Sequence, residues 1–335
     1  METLTAHHHA TLAPPQEGDE LVDVSIGPYG ELIAIWAAAG DLPALRAEGR
    51  TPDGEYVPDD LLLQPVGLRV VAYNPEPTLL VSIPDYRRAW PTAQPMPGGN
   101  VLVVGSRSEW HEGVVAPNAI LYDASGAVVG EQLFGDGIQH VRATPSGQVW
   151  VGYADEGVYG NLGWGFPGPP PIGAAGLLRF GPELDLAWEL PGAAAVMDDL
   201  EAINVAGEVV WASYYLDYPI VEIVDGRVRS WSTSAGEVRA LAVSGDQVAL
   251  VIQGLKRLVV GRLEAGRHVV EREYALDLPN GAQVFGWGPE LHVVAGREWF
   301  QLELPWDDST RVPASLSAYV RRLRRMAAAW RPRAT

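Results

Sequence analysis

The stretch FGDGIQHV carries an aspartate, Asp136, and a histidine, His140, four positions apart, which are the residue types of proton transfer. A carboxylate or imidazole within reach of a bound water activates it as a general base. Further along stand oxygen donors of a different use: Asp155, Glu156, Asn161, Asp198, Asp199 and Asn204. Hard divalent ions take about six to eight oxygens from such carboxylates and amides, so a calcium-type ion is the cofactor this set would hold. A third group mixes rings with charge: Trp110, His111 and Glu112 in EWHEG, Trp164 in LGWG, and Tyr215 and Asp217 in YYLDYP. Large amphipathic rings beside charged groups are typical of surfaces that bind a ligand or a partner.

Each of these residues also has a plainer use. Asp136 in a GDG sequence is a turn former, since Asp and Gly dominate turns for local reasons. His140 on an apolar strand serves as a hydrogen-bonded core residue as readily as a base or a metal ligand. Asp198 and Asp199 either cap a loop in solvent or repel one another into raised pKa values. Asn204 satisfies a buried backbone group as well as it would a metal. Chemistry therefore depends on whether these groups converge, and that depends on the elements that carry them.

The elements repeat. A strand, a glycine-marked turn and a second, more apolar strand recur six times, the second strands following Gly30 (ELIAIW), Gly99 (NVLVVG), Gly147 (QVWVGY), Gly207 (EVVWASY), Gly245 (DQVALVI) and Gly288 (PELHVV). Two more β-rich runs follow several copies, as in AILYDASGAVVGEQL and PIVEIVDGRVRSW, so each unit offers four strands. The anchors are 69, 48, 60, 38 and 43 residues apart, and the compact intervals match the ~40 to 50 residues of a propeller blade. The reading is an all-β, six-bladed β-propeller over residues 21–304, preceded by a flexible tail at 1–20 and followed by a linker and helix at 305–335. Radial repetition protects strand edges in an antiparallel protein of this size. Trp150, Trp188, Trp211, Trp231 and Trp299 fall within strands and are expected in the core.

The GxVW phrase, with LYDxxG or LRF after it, resembles repeats of the NHL and gluconolactonase (regucalcin-like) propellers. That resemblance implies a six-bladed ring and a calcium-type site of carboxylates and asparagines close to its channel, where Asn204 and the acidic residues above would stand.

In a propeller the loops between blades and those between the two middle strands of a blade emerge on one face. Here they are Gly135–Gly137, Pro191–Glu201 and Ser232–Glu237, with Ser106–Asn118, Ala154–Gly176 and Tyr214–Pro219. The candidate residues all fall on them, apart from His140 and Asn204 on inner strands just below. The spacing of Gly157, Gly160 and Gly163 suggests a phosphate loop, but no helical pattern follows to direct an N-terminal dipole at phosphate.

Composition narrows the function classes. With 42 acidic against 24 basic residues the net charge is −18, which argues against nucleic acid as a partner and suits cations. The absence of cysteine removes disulfides, thiolate metal sites and Cys nucleophiles, and the chain shows neither a signal-peptide pattern nor a transmembrane run, so a cytoplasmic protein is expected. His7, His8 and His9 lie in the expected tail, far from other ligand groups. At the other end Leu316, Tyr319, Val320, Leu323, Met326, Ala327 and Trp330 recur at helical spacing, with arginines on the opposite face, and predict one amphipathic helix. The sequence thus points to a propeller that binds a small molecule or a protein at an acidic, aromatic rim. The alternative is a divalent-metal-dependent lactonase or esterase at the same rim, with Asp136 or His140 activating water.

Overall fold

The computed structural model describes all residues except 47, 51–55, 59, 193–196 and 308–335. The helix expected near 313–330 lies outside the described residues.

Six antiparallel groups of three or four strands follow one another along the chain, as the repeats require; those of blades four and six join into one eight-stranded sheet through a single parallel bridge between Asn204 and Gly286. Blade one comprises Asp19–Ile26, Leu32–Ala38, Leu61–Tyr73 and Pro77–Arg88. Blade two runs Pro91–Met96, Asn100–Gly105, Ala119–Tyr122 and Val128–Gln132, and blade three Ile138–Ala143, Val149–Tyr153, Leu177–Phe180 and Leu186–Glu189. Blade four holds Leu200–Ala206, Val209–Tyr214, Ile220–Val224 and Arg227–Trp231; blade five holds Val238–Ser244, Gln247–Ile252, Arg257–Glu264 and Arg267–Asp277. Blade six has Gln283–Trp287, Glu290–Ala295 and Glu298–Leu302. This sheet layout is that of a six-bladed β-propeller. Among the described residues no helix is long and apolar enough to cross a membrane.

The six anchor glycines explain the regularity. All have positive φ, between 51° and 87°, which closes the hairpin between first and second strands at no side-chain cost. Second strands are apolar throughout because both their faces are covered: every residue of Val149–Tyr153 and of Gln247–Ile252 is buried. Trp150, Trp211 and Trp299 are buried as expected, while Trp188 and Trp231 are half-buried and pack edge-on or tilted against Trp150 and Trp211.

The blades fall into two compact units of three. One contains Ala13–Gly27 and Glu31–Asp199, hence blades one to three; the other contains Met1–Leu12, Pro28–Gly30 and the chain from Leu200, hence blades four to six. In the first unit a core of Leu102, Val104, Val141, Val149, Val151 and Tyr153 is closed by the stacked rings of Phe134 and Phe180, 3.9 Å between centroids. Gln94, fully buried on blade two's first strand, ties all three first strands together. Its Nε2 donates to Ser25 Oγ and to the Ile26 carbonyl at 3.0 Å, and its Oε1 accepts from the Ala143 N–H at 2.9 Å.

The second unit departs from the sequence reading at its start. Residues 1–20, expected as a tail, contain two strands. Glu2–Thr5 pairs parallel with Tyr274–Asp277 beside blade five, and His7–Thr11 pairs antiparallel with Glu298–Gln301, supplying the fourth strand that blade six lacks. The histidines are part of this strand: His8 bonds Glu298 at 2.8 Å and the His9 ring meets Trp299 edge-on at 4.3 Å. Leu12, fully buried, ends it. An open strand edge leaves backbone groups unpaired, and a three-stranded last blade recruits the chain's own beginning to cover it.

Candidate functional site

The predicted rim residues of the first unit gather where two loops of blades two and three cross. Trp110 N–H donates to the Leu162 carbonyl at 2.9 Å, and the Trp164 indole Nε1 donates to the Ser108 carbonyl at 2.8 Å. Trp164 is therefore a buried brace, 9% exposed, and not the open binding ring that its loop position suggested. Gly163 allows the contact: a Cβ there would lie 1.9 Å from the Trp110 carbonyl oxygen. Trp110 itself stays half-buried, while His111 and Glu112 are exposed in a tight turn closed by mutual backbone bonds between His111 and Val114.

Beneath this brace sits a group that sequence reasoning missed. Arg107, 7% exposed, pairs with Asp136 (3.1 Å from its Nε) and with Glu156, so one guanidinium holds two of the expected acids. Asp136 also accepts the Ser108 N–H at 3.0 Å. Its carboxyl is nonetheless pushed up to about 6: burial dominates, Arg107 and the backbone donors of Ser108 and Gly137 oppose it, and Glu156 adds to it. Asp136 Oδ2, Ser108 Oγ and Arg107 Nη2 are buried without a hydrogen-bond partner. The only signal in the sequence was an arginine in an otherwise acidic loop.

The remaining acids collect around the short helix Asp155–Tyr159. Asp155 N–H donates to Asp199 at 2.9 Å, and the Tyr159 hydroxyl donates to Asp198, which with the nearby acids Asp155 and Asp199 raises the tyrosine's pKa. Among the described residues no three His, Asp or Glu side chains stand together as a metal-holding group. Asn161 is half-buried in the loop, where its carbonyl accepts the Trp164 N–H at 2.9 Å.

His140 and Asn204 lie on first strands, as expected, but do different things. Asn204 is fully buried, and its amide group is fully used. Nδ2 donates to the carbonyls of Leu241 and Gly288 at 2.9 Å, and Oδ1 accepts the Gly288 N–H at 2.7 Å. It joins blades four, five and six as Gln94 joins blades one, two and three, so its oxygen is not a free metal ligand. Gly286 permits that close approach, since a Cβ would stand 2.0 Å from the Leu241 carbonyl oxygen. His140 is half-buried on the first strand of blade three, opposite Gly152. In the second unit Tyr215 and Asp217 are exposed at a loop tip where Leu216, Asp217 and Tyr218 all have positive φ (72°, 64° and 46°). Three such non-glycine residues in a row strain the backbone.

On these loops of the first unit apolar and acidic side chains stand out to solvent. Phe166 is fully exposed, Val114 73% and Tyr159 58% exposed, and Glu109, Glu112 and Asp155 are exposed among them. The chain at Gly165 runs against the Tyr159 carbonyl, which keeps Tyr159 and Phe166 near one another. Arg107 is the one arginine or lysine in 106–118 and 154–176, and it is buried.

No family model matches the chain, and no curated protein does. Solved structures with a similar trace include hydrazine synthase of Kuenenia stuttgartiensis (12% identity, 89% of this chain and 99% of that one, TM-score 0.49). Hsv2 of Kluyveromyces lactis (12%, 87% and 76%, 0.47) and the PQQ-bound aldose sugar dehydrogenase of Streptomyces coelicolor (12%, 89% and 97%, 0.43) are also similar. At these values the likenesses carry no functional argument, and the fold rests on the sheet layout.

Proposed function

We propose that this protein is a recognition propeller whose blade-two and blade-three loops bind a protein segment rich in basic and apolar side chains. The observation that carries the reading is the set of exposed rings and aliphatics, Phe166, Tyr159 and Val114, set among exposed acids on loops braced by Trp164 and Trp110. Apolar groups held out to water by a rigid support lose little entropy on binding, and the acids select a cationic partner. The paired state of Asp136 and Glu156 supports binding over acid–base chemistry at this rim, because Arg107 already occupies both. The cysteine-free chain suits a reducing compartment such as the cytoplasm, and the GQVW and LYDASG phrases support an NHL-like origin of the blades.

Peptide display against the purified full chain tests the reading. Selected binders should be enriched in Lys or Arg beside aromatic or aliphatic residues, weaken as salt rises, and lose about tenfold or more in affinity to Phe166→Asp. Binders enriched in acidic residues, or indifferent to Phe166→Asp and Tyr159→Ala alike, would refute it.

A further inference from the structure

The last described residues, Trp306 and Asp307, are tied down. Trp306 Nε1 donates to the Pro289 carbonyl at 3.1 Å and the Asp307 N–H to Gln247 Oε1 at 3.0 Å, while Arg262 and Arg272 hold the Asp307 carboxylate at 2.8 and 3.2 Å. Pro289 and Gln247 stand at the first hairpin turns of blades six and five. Residues 308–335 follow from this root. After Asp308 they hold seven arginines, four of them in Arg321, Arg322, Arg324 and Arg325, and no acidic residue. Among the arginines stand the large apolar side chains of Leu316, Tyr319, Leu323, Met326 and Trp330. In a chain of net charge −18 this segment is the strongly basic exception.

The loops of blades two and three offer the complement. Phe166, Tyr159 and Val114 are exposed there beside Glu109, Glu112 and Asp155, and the basic residue of those loops, Arg107, is buried in its ion pairs. We propose that residues 309–335 of one copy of this chain bind the blade-two and blade-three loops of a second copy, arginines against the three acids and apolar side chains on Phe166, Tyr159 and Val114. The inference rests on the reading of those loops as a surface for basic and apolar segments, and it names the segment. The place where the segment starts favours a second copy over the same one. It leaves from hairpin turns between first and second strands, whereas the binding loops leave the far ends of second strands, after Gly105 and Tyr153. A tail at one end of its strands and a receptor at the other end of its own make a heterologous, head-to-tail contact, which repeats from copy to copy. Attraction between the basic tail and the acidic loops steers that encounter and selects against cationic surfaces.

Sedimentation velocity of the full chain tests this. The protein should assemble as its concentration rises, and come apart as salt rises or when a synthetic peptide of residues 309–335 is added in excess. Two variants separate the halves of the contact. Phe166→Asp spoils the receptor; Arg321→Glu, Arg322→Glu, Arg324→Glu and Arg325→Glu made together spoil the tail. Each variant alone should self-associate about tenfold or more weakly than wild type. Mixed, they should form a one-to-one complex of wild-type affinity, since the intact tail of the first meets the intact loops of the second. That gain of binding requires both variants to be folded, so misfolding cannot imitate it. A chain that stays monomeric at every concentration, as it would with its tail on its own loops, overturns the proposal, and so do variants that fail to complement. If peptides selected by display still bind in a Phe166-dependent way, the reading of the loops stands and only their occupant is wrong; if they do not, both fall.

Discussion

Replacing Asp136 by asparagine should stabilise this protein at neutral pH and destabilise it in acid, and the swing between the two conditions measures how burial competes with an ion pair. The carboxyl is 3% exposed and its pKa rises from 3.8 unfolded to about 6 folded. A folded pKa above the unfolded one means the folded state binds the proton more tightly, so stability is highest below pH ~3.8 and is lost as pH rises through about 6. Some two pK units correspond to about 3 kcal/mol between these limits. Asparagine carries no such term. It keeps an oxygen to accept the Ser108 N–H, but its amide nitrogen replaces Oδ2, which has no partner, at a pH-independent cost of ~1–2 kcal/mol. The variant should therefore be about 1–2 kcal/mol more stable than wild type at pH 7.5 and about 1 kcal/mol less stable at pH 4. Urea denaturation followed by tryptophan fluorescence at several pH values reads both numbers, and taking the difference between the two proteins cancels Asp23, which titrates in the same window. If Asp136→Asn loses more stability at pH 7.5 than at pH 4, the Arg107 pair outweighs burial and the reasoning fails.

Other expectations rest on single contacts. Deleting residues 1–11 should lower stability by at least ~3 kcal/mol, because it strips the fourth strand from blade six and the burial of the segment around Leu4; an unchanged melting curve would show the strand to be dispensable. Asn204→Ala removes three hydrogen bonds in a fully buried place, where the Gly288 carbonyl keeps only the Val243 N–H, and should cost about 2–4 kcal/mol in the same urea assay, against near neutrality if the amide were merely a spare ligand. Trp164→Phe keeps an aromatic ring but removes the bond to the Ser108 carbonyl and part of the buried indole; about 1–3 kcal/mol of stability should go, with weaker binding of any peptide that contacts Phe166.

Much of the fold is legible in the sequence. Six glycines at blade-like intervals, each followed by an apolar run, determine six first hairpins, because a tight turn needs a residue free to take positive φ and a strand covered on both faces needs apolar residues throughout. The surface loops were equally legible, since they are long, rich in Gly and Pro, and interrupt the repeat; His111, Glu112, Tyr215 and Asp217 are exposed on them. Pairings between distant residues were not. His7–Thr11 carries no strand-like pattern of its own and becomes a strand only because blade six, some 290 residues later, has an open edge. The same holds for single side chains. Nothing local separates Asn204, which ties three blades, from Asn161 in a loop, or tells that Trp164 turns inward while Phe166 two residues on turns out. Arg107 looked like one charge among many until Asp136 and Glu156 were seen to share it. Local conformational preference and apolar periodicity are written residue by residue, whereas the partner of a buried polar group is chosen by which strands the propeller layout lays side by side.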